Sequence, residues 1–144
     1  MIDTYLTARY RDGARGEAVD GVREFDCWGL TLAVRAELLG LAPLPDFGLV
    51  SRLSLRESAR AYQRYAEHMP AGPPAHGAIA AVLSAHLCTH VGLVLEIDGR
   101  LGVLEINPGE PPRWLPILDF ERCYYRVMYH HDRDLPEQVL AGAG

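Results

Sequence analysis

From Asp26 onward the apolar positions of the chain fall into a regular pattern. Leu30, Ala33, Val34 and Leu38 recur at helical spacing behind Asp26, an N-cap residue type, and Gly40 supplies a stop. The pattern predicts a helix from Cys27 to Leu39. The 25 residues before it are rich in Gly, Asp and Arg, and Arg11-Asp12-Gly13-Ala14-Arg15-Gly16 reads as loop by its turn chemistry. Pro43 and Pro45 open a connector that runs to about Arg52. Ser54-Leu55-Arg56-Glu57 then forms a capping box, and Leu55, Ala59, Tyr62, Tyr65 and Ala66 make the apolar face of a second helix that ends before Pro70.

After the Pro/Gly-rich break from Pro70 to Gly77 the period changes. Ile79 to Leu83, Val91 to Ile97, Leu101 to Asn107, Arg113 to Leu118 and Arg122 to Tyr129 are short β-prone runs separated by turn residues, with Asp98-Gly99 a hairpin signal. Helices followed by a meander of strands predict an α+β fold: an N-terminal helix packed on an antiparallel sheet. With 144 residues the chain reads as one domain over 1–144, in which the polar stretch 131–144 is a frayed tail.

Composition narrows the function classes. Hydrophobic content of 49% with 23% charged residues argues against disorder, and a formal net charge of −5 gives no reason to expect nucleic-acid binding. Cys27, Cys88 and Cys123 are too few and too odd in number for a disulfide framework. The N-terminus lacks the basic start and apolar stretch of a signal peptide, and no apolar run has the length of about 18 residues that a membrane span needs. The expectation is synthesis in the cytoplasm without membrane insertion.

Candidate chemistry centres on Asp26-Cys27-Trp28-Gly29-Leu30. A cysteine in the first turn of a helix sits in the positive end of the dipole, where a thiolate nucleophile is favoured, although a free cysteine is most often a small buried hydrophobe. A nucleophile of this kind requires a base, and Thr89-His90-Val91-Gly92-Leu93-Val94 opens an apolar strand with His90. A base in turn requires an orienting partner. The period of two puts Val103, Glu105 and Asn107 on one face of the next strand, so Glu105 or Asn107 is placed to accept from the imidazole, unless both point to solvent. Trp28 lines a groove beside the thiol or packs half-buried. His86, Cys88 and His90 also alternate, but same-face side chains on one strand run parallel and converge poorly on a tetrahedral metal, so no metal is expected.

These residues resemble a known family. Phe25-Asp26-Cys27-Trp28-Gly29-Leu30 is similar to the nucleophile motif of the NlpC-type cysteine peptidases, in the Asp-Cys-Trp-Gly-Leu form of their phage-tail members. His90-Val91-Gly92-Leu93-Val94-Leu95 resembles the family's base-bearing strand, Tyr10-Arg11-Asp12-Gly13 its upstream Tyr loop, and Leu39-Gly40 to Leu44-Pro45 the segment after the helix. The match covers most of residues 5 to 130 in family order. It implies a papain-like fold and hydrolysis of amide bonds in cell-wall peptides without a cofactor. By the same resemblance Cys27 is the nucleophile, His90 the base, Tyr10 a residue of the oxyanion or substrate end of the cleft, and Glu105 the third residue, where relatives carry His, Asn or Gln. Asn107 is the alternative. Where relatives often have a Gly-Asp step before the strand preceding the base, this chain has Gly77-Ala78. The implied partners are peptidoglycan stem peptides and the proteins of a phage tail or tail-like particle. A structural tail protein with a faded site, or an amidase effector delivered by a secretion apparatus, carries the same motifs.

Overall fold

This computed structural model describes residues 2–42, 63, 66–67, 69–85 and 87–131. In chain order the elements are β1 (Arg9–Tyr10), β2 (Arg15–Val19), β3 (Val22–Phe25), α1 (Cys27–Glu37), β4 (Ala71–Gly72), β5 (Ile79–Ser84), β6 (Leu87–Ile97), β7 (Arg100–Glu105), β8 (Arg113–Pro116), α2 (Ile117–Cys123) and β9 (Val127–His130). The architecture is α+β, as the run of a helix followed by strands predicts. Strands β5 to β8 form an antiparallel meander, and β9 returns to pair with the free side of β5, giving the order β4-β9-β5-β6-β7-β8.

Both faces of this sheet are covered, which is why β5 and β6 read as nearly continuous apolar runs rather than as alternating ones. Helix α1 lies on one face, where Trp28, Leu30 and Val34 meet Val91, Leu93, Leu95 and Leu104. On the other face Val82, Val94 and Val103 pack with Phe120 of α2 and Tyr129 of β9. Arg35, buried near the end of α1, donates from Nη1 to the carbonyl of Gly77 at 2.6 Å, which ties the helix to the loop entering β5. No helix among the described residues is long and apolar enough to cross a membrane.

Several expectations change. Residues 9–25 are not loop throughout: β1, β2 and β3 form a small separate sheet in the order β1-β3-β2. Its hairpin turns at Asp20-Gly21, with φ of 52° and 77°, the same turn chemistry as Asp98-Gly99 at 51° and 77°. The strands around it are short and mostly exposed, so they show no apolar alternation. The run predicted as strand from Arg113 to Leu118 is strand only to Pro116. It continues as α2, a seven-residue helix anchored by Phe120 alone, too short and too exposed to show a period. The last strand accordingly begins at Val127 rather than Arg122.

The expected tail also starts too early. His131 is buried, donates from its backbone N–H to Pro70 and places Nε2 2.8 Å from the carbonyl of Pro73, while His130 Nδ1 sits 2.8 Å from the carbonyl of Met69. Both histidines fasten the segment around β4 and are not part of a solvated terminus. The Pro43–Arg52 connector, the capping box at Ser54–Glu57 and residues 132–144 lie outside the described residues. So does most of the predicted second helix, of which Gln63, Ala66 and Glu67 are helical.

Candidate active site

The start of α1 is built by Asp26. Its side chain caps the helix by accepting from Gly29 N–H at 2.7 Å and reaches back to accept from Gly13 N–H at 3.1 Å and from Arg15 Nη1 at 2.7 Å. One carboxylate thus closes the first helical turn and pins the 11–15 loop against it. Gly29 makes that approach possible, since a Cβ there would stand 2.2 Å from the carbonyl oxygen of Ala14. The motif therefore has a steric logic: Asp26 holds the turn, Gly29 admits the neighbouring backbone, and Cys27 is fixed as the first residue of the helix. The cysteine as a whole is 4% exposed.

His90 is the fourth residue of β6, not its opening residue. It pairs across the sheet with Val82, and an irregularity between Val82 and Leu83 shifts the next pair to Leu83 and Cys88. The extra residue, Thr89, shifts the phase of the strand at this point, and Cys88 lies in the α1-side core. Alternation from Cys88 to His90 is thereby broken, which removes the geometry of a metal site on one face; His86 lies outside the described residues. Burial pushes the Cys88 thiol up to about 12. Among the described residues no group of three His, Cys, Asp or Glu side chains is placed to hold a metal ion.

The hairpin at Asp98-Gly99 brings β7 beside β6, with Val94 opposite Val103 and Leu93 opposite Leu104. Gly92 leaves room for this strand: a Cβ there would meet Val103 Cγ1 at 2.5 Å and the Leu104 carbonyl at 3.0 Å. The result is that Glu105, 1% exposed, places Oε1 2.7 Å from His90 Nε2. A carboxylate only accepts, so Nε2 carries the proton and donates. The Cys27 thiol also acts on the imidazole and raises its pKa, and with Nε2 taken by Glu105 it is Nδ1 that is left for the sulfur. His90 is 8% exposed, and burial alone favours its neutral form. The Cys27 and Glu105 partners outweigh that burial and lift the imidazole to about 9.

Glu105 is held by more than the histidine. Burial pushes its carboxyl up, but His90, Tyr124 and Arg113 together bring it below the usual carboxylate range. Arg113 Nε donates to Oε2 at 2.9 Å, and the Tyr124 hydroxyl donates to the same Oε1 that takes His90. Asn107 Nδ2 reaches that oxygen at 3.4 Å and the Tyr124 hydroxyl at 3.3 Å. Glu105 thus contacts the imidazole directly, and Asn107 braces the carboxylate and the tyrosine.

The remaining candidates fall in different places. Trp28 is 1% exposed inside the α1 core, so its ring packs the interior and does not wall a groove. Tyr10 lies half-buried on β1, level with Phe25 of β3, and its hydroxyl donates to Asp12 at 2.7 Å. With Arg9, Gly109 and Glu110 it lines a recess of about 270 Å³ between β1 and the β7–β8 connection. Sequence reasoning missed Arg113 and Tyr124. Both lie in runs that the pattern marks only as β-prone, 113–118 and 122–129, and the short helix that aims Tyr124 at Glu105 carries no periodic signal.

A buried carboxylate hydrogen-bonded to an imidazole, and a thiol at a helix N-terminus that acts on that imidazole, are the groups that covalent acyl transfer uses. No protein-family model matches the chain, and no curated protein matches it.

Proposed function

We propose that the protein is a cysteine peptidase with a papain-like, NlpC-type fold that hydrolyses amide bonds in peptidoglycan stem peptides, as a component of a phage tail or tail-like particle. The observation that carries the reading is the line from Cys27 through His90 to Glu105, with Nε2 of the imidazole 2.7 Å from a buried carboxylate. The mixed α+β arrangement, with the thiol-bearing helix against the strand of the histidine, is compatible with that fold. The substrate class rests on the resemblance at residues 25–30 and 90–95.

In the proposed mechanism the Cys27 thiol passes its proton to His90 Nδ1, and the sulfur attacks the peptide carbonyl carbon, forming a C–S bond as the carbonyl becomes an oxyanion. The backbone N–H of Cys27, one of the donors that the first helical turn leaves unpaired, faces that oxyanion. His90 gives its Nδ1 proton to the leaving amine as the C–N bond breaks. The neutral imidazole then takes a proton from water, whose oxygen displaces the sulfur and releases the acid. Glu105 keeps Nε2 protonated throughout, which fixes the tautomer with Nδ1 toward the sulfur.

The near-complete burial of Cys27 favours a second reading, a structural tail-assembly protein that retains the fold without turnover. Digestion of purified peptidoglycan by wild type and by Cys27→Ala, with masses of the released fragments, separates the two. Release by wild type alone supports the peptidase and identifies the bond. Equal release by both proteins sinks the mechanism, and absence of release from both favours the structural protein.

A further inference from the structure

Glu105 is not free to turn toward or away from His90, and the part of the chain that prevents it is the β8–α2 unit. Phe120 is fully buried, and its ring centroid lies 4.9 Å from that of Tyr124, four residues on. Helix α2 ends at Cys123 and is capped by Tyr124, whose backbone is extended with φ −134° and ψ 148°. That anchor delivers the tyrosine ring to 5.4 Å from the imidazole, tilted by 32°, while its hydroxyl reaches Glu105 Oε1.

We propose that Tyr124 is a positioning residue for the imidazole, its hydroxyl holding the carboxylate oxygen that takes His90 Nε2 and its ring bounding the imidazole, with Arg113 balancing charge on the other oxygen. The proposal rests on Cys27, His90 and Glu105 being the reacting groups. Burial and then the Glu105 contact push the Tyr124 phenol up to about 12, so it remains a donor across the working range. The groups around His90 come from several elements: Cys27 from α1 and Glu105 from β7 act on it directly, Arg113 from β8 and the Tyr124 hydroxyl from the end of α2 act through Glu105, and Cys88 on its own strand acts on Cys27. Among these, Tyr124 competes directly with His90 for one oxygen. A stronger donor at 124 weakens Glu105 as an acceptor for Nε2–H, and no donor there strengthens it.

The test is an NMR titration of the His90 ring in 15N-labelled protein. Tyr124→Phe keeps the ring and removes the competing donor, so the His90 midpoint is expected to rise by about half a pH unit to one pH unit. Placing 3-fluorotyrosine at position 124 strengthens the donor with almost no change of shape, and the midpoint is expected to fall. This second protein keeps the test open if Tyr124→Phe folds poorly. Opposite movements establish positioning; an unmoved midpoint in the fluorotyrosine protein, or movement of both in one direction, overturns it. The titration needs no substrate. Wild type that releases no peptidoglycan fragments but shows the opposed shifts defeats the peptidase reading alone, whereas an active enzyme with a flat titration defeats the positioning role alone.

Discussion

The imidazole between Cys27 and Glu105 should make folding stability depend on pH in a specific window. In the unfolded chain His90 titrates near its ordinary value of 6.5, whereas in the folded protein its two partners hold it at about 9 despite burial. The folded value is the higher one, so the stabilisation is fully present below pH 6.5 and is lost as pH rises through about 9. A gap of that size, at about 1.4 kcal/mol for each pH unit, is worth about 3 kcal/mol. The side chain is only 10% exposed, so solvent screening removes little of it. Glu105→Gln keeps the shape but removes one of the two partners, so a fraction of the dependence should survive through Cys27, and a further Cys27→Ala exchange should abolish it. Urea unfolding at pH 6 and pH 9.5 measures this directly. Wild type should lose about 3 kcal/mol more between the two values than the double variant does, with Glu105→Gln between them. Parallel pH profiles for all three proteins would show that His90 is not held charged by these partners, and the account of the site would fail.

Two glycines give further checks. Gly29→Ala improves helix propensity by up to about 1 kcal/mol, but the new Cβ stands 2.2 Å from the Ala14 carbonyl, and a clash against backbone of this kind costs about 1–3 kcal/mol or more. The net outcome expected is a loss of about 2 kcal/mol, read as a lower urea midpoint; a neutral or stabilised variant would contradict the role given to the Asp26 turn. Gly92→Ala pushes on Val103 at 2.5 Å and so on the strand that carries Glu105. It should lose about 1–3 kcal/mol and lower the His90 midpoint as the Nε2 contact lengthens, which the same NMR titration detects.

The parts of the molecule that were legible in the sequence are those whose determinants are local. The α1 N-terminus was readable because Asp26, Cys27 and Gly29 act within one turn, and the hairpin between β6 and β7 because Asp98-Gly99 fixes its own geometry. The hairpin and a period of two narrowed the partner of His90 to Glu105 or Asn107, but the choice of Glu105 did not follow from them, since the register that sets Leu93 opposite Leu104 makes His90 and Glu105 diagonal neighbours. The tie between β8 and Glu105 was not readable, because Arg113 contributes through a strand pairing whose register no turn signal sets. Tyr124 was hidden for a different reason: it reaches Glu105 through a seven-residue helix with one buried side chain, and a single anchor leaves no pattern. The small N-terminal sheet was missed although Asp20-Gly21 repeats the signal at Asp98-Gly99, because its strands bury too little to alternate. The β1–β2 loop of that sheet supplies Gly13 and the Ala14 carbonyl and the start of β2 supplies Arg15, which seat the turn of Cys27 from outside, and the β8–α2 unit supplies Arg113 and Tyr124, which seat Glu105 from the other side. The reacting groups are therefore written as local motifs, whereas their supports are tertiary. The sensitive substitutions should lie in the supports as much as in Cys27, His90 and Glu105 themselves.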